Sequence, residues 1–219
     1  MTIRTVRDCL REEYSLLLPD IRKAVEQLET EIRYCLSPLT QQLEKYERIE
    51  VTSRVKDCES AIEALRRRLE GSTFDETQPK LYSLTQLKDL TGVRVLAFPR
   101  AREHEADELL RKRFPSWIAD PIMRTDKSGE LLVKKYHGSL RPENKMLAEY
   151  QVVPMLVGLF WTVEHAAIYK PNPNLRGVAR SLAMRDRTEE VVSALLHFTE
   201  EFEALMKESD SSSGQTLIR

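Results

Sequence analysis

The segment Gly92-Val-Arg-Val-Leu-Ala-Phe98 limits the fold more than any other: it is apolar and β-branched, it ends on Pro99, and it reads as a buried strand. A buried strand needs neighbours to complete its hydrogen bonds. Residues 51–55 form a short β-branched run, and 118–123, 130–136 and 147–153 have extended character. The last two are joined across Arg141-Pro142-Glu143-Asn144, a turn-like composition.

Helical patterns fill the intervals. From Asp20 to Leu36, Ile21, Val25, Leu28, Ile32 and Cys35 recur at helical spacing, and Ser37-Pro38 is expected to stop that helix. Asp57 offers a cap for a helix carrying Ile62, Leu65 and Leu69 on one face, and a short helix is expected from Ser83 after the loop 71–80. Further helices are expected over 103–114, and from Pro154 with Leu156, Leu159, Phe160, Val163 and Ala167 on its apolar face. Val191, Leu195, Phe198, Phe202 and Leu205 mark a long C-terminal helix, spaced for packing, and the Ser-rich tail from Ser209 reads as disordered. The expected fold class is α+β: a mixed, mostly antiparallel sheet of about five strands, with helices on one side. Helices over 1–47 precede a central domain over 48–175, a helix over 176–208 packs on it, and 209–219 is the tail.

With 219 residues, 41% of them hydrophobic, the chain can bury one sizeable core with a helical appendage. Lysine and arginine total 34 against 35 acids, which argues against a general nucleic-acid coat or a strongly anionic-membrane binder, so any basic site is local. Cys9, Cys35 and Cys58 form no close pair and point to neither a disulfide framework nor a zinc site. The N-terminus lacks an apolar core of signal-peptide length, and the longest apolar stretch, 152–163, is too short to span a bilayer. A cytoplasmic protein with no membrane partner is the expectation.

Three clusters carry chemistry. Arg54 and Lys56 occupy alternate strand positions and point the same way, with Ser60 in the first turn of the next helix and Arg66, Arg67 and Arg68 further on. Paired cations beside exposed helix amides favour phosphate oxygens, although the same residues also read as a solvated basic helix and a charged strand edge. Asp89 stands ahead of the apolar strand with Gly92 and Arg94, and reads either as a metal-binding acid or as a loop aspartate satisfying backbone amides. Glu149 and Gln151 share one face of the last strand, either outward into solvent or converging with Asp89 on magnesium, a hard cation that takes one or two carboxylates plus phosphate oxygens.

In order and spacing these clusters resemble the synthetase domain of the RelA/SpoT-type alarmone synthetases, over roughly residues 51–170. That family's Arg-x-Lys-x-x-x-Ser motif, which binds ATP phosphates, is matched by Arg54, Lys56 and Ser60. Its Asp-x-x-Gly-[Ile/Val]-Arg-[Ile/Val] strand, which supplies a magnesium acid, is matched by Asp89, Gly92, Val93, Arg94 and Val95. The Glu-Ile-Gln strand bearing the second acid is matched by Glu149 and Gln151, and Glu-His-x-x-x-Tyr-Lys by Glu164, His165, Tyr169 and Lys170.

The resemblance implies a nucleotidyltransferase-like fold and transfer of pyrophosphate from ATP to the 3′-hydroxyl of GTP or GDP, with Asp89 and Glu149 as catalytic and Mg2+-binding residues. It assigns Arg54, Lys56, Ser60, Arg67 and Arg68 to ATP, and Lys134, Lys135, Tyr136, Gln151, His165, Tyr169 and Lys170 to the acceptor. Single-domain relatives often assemble through terminal helices, which makes a homo-oligomer a further expectation.

Departures concentrate at the acceptor side. The family's Gly-Tyr-Arg-Ser-Leu-His segment, whose tyrosine stacks on guanine, is replaced by Lys135-Tyr136-His137-Gly138-Ser139-Leu140, the following hairpin is short, and Val152-Val153-Pro154 replaces Ile-Arg-Thr. Ala64 stands where a further lysine is usual, leaving its charge to Arg67 or Arg68. These changes leave open an adenine nucleotide or the 3′ end of tRNA as acceptor, the latter helped by Arg111, Lys112 and Arg113, or a nucleotide-binding module without catalysis.

Overall fold

The computed structural model describes residues 4–69, 71, 73–120, 132–139, 147–164 and 182–213. Its first helix, α1 (Val6–Thr40), opens on a capping box in which the Thr5 hydroxyl accepts from the Asp8 amide and the Asp8 carboxylate accepts from the Thr5 amide, both at 3.2 Å. It begins well ahead of Asp20 and passes through Pro19 and Pro38. The expected stop at Ser37-Pro38 does not occur. An interior proline costs about 3 kcal/mol, whereas each large apolar side chain buried returns about 1.5–3 kcal/mol. Ten side chains on one stripe, from Val6 to Leu39, are buried, and Leu36 and Leu39 lie on either side of Pro38.

Strand β1 (Arg48–Val55) leads through the Asp57 cap into α2 (Cys58–Arg67). The helix expected from Ser83 is a single 3-10 turn, Leu84–Gln86. Then come β2 (Thr91–Phe98), α3 (Arg100–Arg113), the two-residue β3 (Ile118–Ala119), β4 (Lys134–Gly138), β5 (Ala148–Pro154), α4 (Met155–Glu164) and α5 (Leu182–Ser213). The five strands form one sheet in the order β1-β2-β5-β4-β3, with β2 and β5 parallel and every other pair antiparallel. The mixed sheet expected from the strand pattern is present. Extended character at 121–123 and 130–131 falls outside the described residues.

Side chains alternate along a strand, so the sheet presents two faces. On the rear face Val51, Val93, Val95, Tyr150 and Val152 pack against Leu28, Ile32 and Leu36 of α1 and Ala106 and Leu110 of α3. On the front face Leu96, Val133 and Val153 pack against Val157 of α4 and Leu196 of α5. Helices therefore cover both faces, not one, because positions 96, 133 and 153 place a second apolar patch on the side opposite Val95 and Val152. Gly158 lets α4 seat on β2, since a Cβ there would collide with Leu96 Cδ2.

The stripe expected on α5 is rotated. Leu196 and Thr199 are buried and Phe202 meets the rings of Tyr46 and Phe98, whereas Val191, Phe198 and Leu205 are exposed. Helix α5 also continues past Ser209 to Ser213, where composition predicts a disordered tail. Extending an existing helix costs little per serine. No described helix is long and apolar enough to cross a membrane.

Candidate active site

Beyond the apolar patch that meets α4 and α5, the front face collects polar residues of four strands. Arg54 stands opposite Gly92, Gly92 beside Glu149, and Glu149 opposite His137. Two residues along, Arg94 stands beside Gln151 and Gln151 opposite Lys135. One transverse row thus runs Arg54, Gly92, Glu149, His137, and the next carries Arg94, Gln151 and Lys135. Gly92 matters by what it lacks: Arg54 Nε and Cγ lie 3.4 and 3.6 Å from where a Cβ would sit, so the arginine occupies the ledge between β1 and Glu149.

Glu149 is only 5% exposed. Its Oε1 accepts from Gln151 Nε2 at 2.5 Å, and Lys135 Nζ stands 3.7 Å from its Oε2 and 3.8 Å from Asp120 Oδ2. Arg94 Nε donates to Gln151 Oε1 at 3.3 Å, which joins the arginine to the same chain of hydrogen bonds. Burial and then the charge of Arg54 push the Arg94 guanidinium below its usual range while Glu149 opposes them, and a guanidinium stays charged regardless. His137 is held below the ordinary histidine value by burial first and Lys88 next, against Asp120 and Glu149, so it is neutral at pH 7.

Asp89 occupies the turn before β2, between the buried Leu87 and Leu90. The Lys56 amide donates to Leu90 O at 2.9 Å, the Lys56 carbonyl accepts from Tyr14 Oη at 2.8 Å, and the Lys56 ammonium closes on Asp89 Oδ2. Arg68 Nη2 stands 3.8 Å from Oδ1, which is buried without a hydrogen bond among the described residues. Burial pushes the Asp89 carboxyl upward, but the Lys56 hydrogen bond and the charges of Lys56, Arg68 and Arg54 outweigh it, leaving the group below its ordinary value. At the start of α2, the Ser60 amide donates to Asp57 Oδ1 at 2.9 Å, so Asp57 already uses that helix N-terminus. Arg67 is exposed and turns back to Glu63 O at 3.4 Å; only Arg68 of the pair joins Asp89.

The structure therefore assembles Arg54, Lys56, Arg68 and Asp89 on one side of Gly92, and Glu149, Gln151 and Lys135 on the other. It does not bring Lys134 and Tyr136 to this face. Lys134 is 8% exposed and meets Glu103 at 3.2 Å and His104 Nδ1 at 3.1 Å behind the sheet. Tyr136 stacks on Tyr150 with ring centroids 4.8 Å apart and donates to Asp107 Oδ1 at 3.0 Å. The segment matched to the family's tyrosine loop forms the interior of β4, where alternation sends Lys135 and His137 forward and their neighbours back. His165, Tyr169 and Lys170 lie outside the described residues. His137, Lys88 and Asp120 carry no site role in the sequence reading, which groups Arg94 with Asp89 but assigns it no contact; strand alternation with Glu149 and Gln151 is the signal available for Arg94.

Asp89 and Glu149 are the two carboxylates that could hold a hard divalent cation. Asp89 Oδ1 accepts no hydrogen bond among the described residues and has Arg68 Nη2 3.8 Å away, Glu149 carries the other candidate carboxylate, and no group of three or more His, Cys, Asp or Glu able to hold a metal exists among the described residues. Two acids suit magnesium, which keeps waters and takes phosphate oxygens for its remaining positions. Behind the sheet a separate cleft of about 510 Å³ is lined by Arg111, Lys112, Phe114, Trp117 and Tyr136, among others.

The five-stranded mixed sheet with β2 and β5 parallel, and the structural matches that follow, give the chain the fold of the RelA/SpoT-type synthetase domains. The small alarmone synthetase 1 from Bacillus subtilis matches with a TM-score of 0.61 at 21% identity, over 90% of this chain and 99% of that one. The structure of that synthetase bound to its product pppGpp gives 0.61 at 18% identity with the same coverage. A GTP pyrophosphokinase family protein from Streptococcus pneumoniae gives 0.61 at 21%, over 90% and 96% of the two chains. No family profile and no curated protein matches the sequence.

Proposed function

We propose that the chain is a magnesium-dependent pyrophosphokinase that moves the terminal diphosphate of ATP to the 3′-hydroxyl of GTP or GDP. The observation that carries this reading is Arg54 laid across Gly92 next to Glu149, with its charge, together with those of Lys56 and Arg68, also acting on Asp89. In the reaction the 3′ oxygen bonds to the β-phosphorus, the bond from that phosphorus to the bridging oxygen of the α-phosphate breaks, and AMP departs. Glu149 takes the hydroxyl proton at Oε2 and passes it to solvent. Arg54, Lys56 and Arg68 hold the triphosphate, and Arg94 and Lys135 meet charge developing on the transferred group. Magnesium, held by Asp89 and Glu149, neutralises phosphate oxygens when bound.

Similar folds bound to AMPCPP and to pppGpp support an ATP-type donor and a guanine product. One observation favours a second acceptor: Tyr136, matched to the guanine-stacking position, faces α3. An adenine nucleotide or a tRNA 3′ end then replaces GTP under the same chemistry, and the Arg111 and Lys112 cleft offers a cationic, aromatic surface for nucleic acid. Incubation with γ-labelled ATP and separate pools of GTP, GDP, ATP and tRNA tests the choice, since only the true acceptor gains label. Nucleotide binding with no labelled product in any pool would favour a binding module instead. Under this reading, use of ATP and GTP supports a cytoplasmic location. Exposed Val191, Phe198 and Leu205, seven residues apart on α5, support a homo-oligomer, which analytical ultracentrifugation checks.

A further inference from the structure

We infer that Lys56 is a latch on the metal site: it occupies Asp89 in the nucleotide-free protein, and a triphosphate must draw it away before a divalent ion can bind. The inference deepens the magnesium reading above and rests on it. Asp89 Oδ2 is closed by the Lys56 ammonium, with Arg68 Nη2 3.8 Å from Oδ1 and Arg54 on the ledge beside Gly92. Glu149 is likewise engaged, with Gln151 on Oε1 and Lys135 3.7 Å from Oε2. A free divalent ion would therefore approach two acids that already have partners, through a field set by Arg54, Lys56, Arg68 and Lys135. Like charges repel, the more so at the partly buried Lys56 and Asp89.

A polyphosphate reverses this field. It brings several negative charges and acceptor oxygens that suit an ammonium at least as well as one carboxylate oxygen does. The Lys56 backbone is pinned by the Leu90 carbonyl and the Tyr14 hydroxyl, so only its side chain has to swing. Asp89 Oδ2 would then be released from its lysine, leaving Arg68 near Oδ1 as the remaining cationic neighbour on the carboxylate. The metal accordingly enters with the nucleotide or after it, and by linkage each tightens the other.

Manganese and water-proton relaxation enhancement test the latch, because the method distinguishes protein-bound manganese from the free ion and from its nucleotide complex. On the full chain, manganese binding without nucleotide should be about tenfold or more weaker than with the non-hydrolysable analogue AMPCPP. Lys56→Met and Lys56→Gln, checked for fold by circular dichroism, should bind manganese alone about tenfold tighter than the natural protein and lose most of the dependence on the analogue. Equal affinity with and without analogue in the natural protein, or an unchanged nucleotide-free affinity in both folded variants, would overturn the latch and leave the metal reading standing. No bound manganese even with the analogue present would overturn the metal reading and the latch with it.

Discussion

Gly92 and Glu149 stand side by side on the parallel strands β2 and β5, and the missing side chain of the first leaves room for Arg54 next to the carboxylate of the second. A methyl group at position 92 would meet Arg54 at ordinary contact distance, 3.4 to 3.6 Å, whereas a branched side chain would fill the ledge. Gly92→Ala should bind AMPCPP within about twofold of the natural protein, and Gly92→Val about tenfold more weakly, with its melting temperature kept. Calorimetric titration of both variants checks this.

The Asp89 carboxyl gives a test in acid. Its folded value lies below the ordinary 3.8, so the unfolded chain binds its proton first as pH falls. The stabilisation is complete at neutral pH and is lost as pH drops from about 4 through the lower folded value. Lys56→Met should cost about 1–2 kcal/mol at pH 7, because a buried carboxylate loses its close partner, and the loss should shrink in acid as Asp89 protonates. Urea unfolding at a series of pH values measures both.

His137 predicts a loss in the same direction, with falling pH, but in a higher window. Burial and Lys88 hold its folded value below the ordinary 6.5, so the folded state resists a proton that the unfolded chain accepts. Stability should be flat above about pH 7 and should fall as pH drops below 6.5, until the folded value is reached. His137→Gln should flatten that limb, read as melting temperature between pH 7 and 5.

Two buried tyrosines on the rear face should respond differently to the same substitution. Tyr136 donates to Asp107 at 3.0 Å, whereas the Tyr150 hydroxyl is buried with no hydrogen-bond partner among the described residues. Tyr136→Phe should destabilise by about 1–2 kcal/mol, and Tyr150→Phe should be neutral or slightly stabilising. Thermal melts resolve the pair, at about 2–4 °C per kcal/mol for a chain of this size.

These expectations also mark where sequence reasoning succeeded. The strand over 92–98, the Asp57 cap and the convergence of Arg54 and Lys56 follow from local rules, alternation and capping, and each is present in the fold, the two cations both acting on Asp89. Pro38 was misread because a local breaking rule does not weigh the long buried stripe of α1 against one lost hydrogen bond. The facing of Lys134 and Tyr136 was misjudged for a different reason. A strand's period is two, so knowing that a residue lies in β4 without its register against β5 leaves its face undecided. That Lys56 sits on Asp89 was not legible at all, since it depends on the approach of two segments separated by 33 positions.

The central claim is that Asp89 and Glu149 together make a phosphoryl-transfer site. The most direct measurement is release of label from γ-labelled ATP to GTP in magnesium, for the natural chain, Asp89→Asn and Glu149→Gln, with AMPCPP binding measured alongside. The account predicts a labelled guanine product from the natural chain and a loss of at least about 10²-fold in rate for each variant, with their fold retained. Equal rates in either folded variant, or tight AMPCPP binding by the natural chain with no label moved to any nucleotide or tRNA, would contradict it.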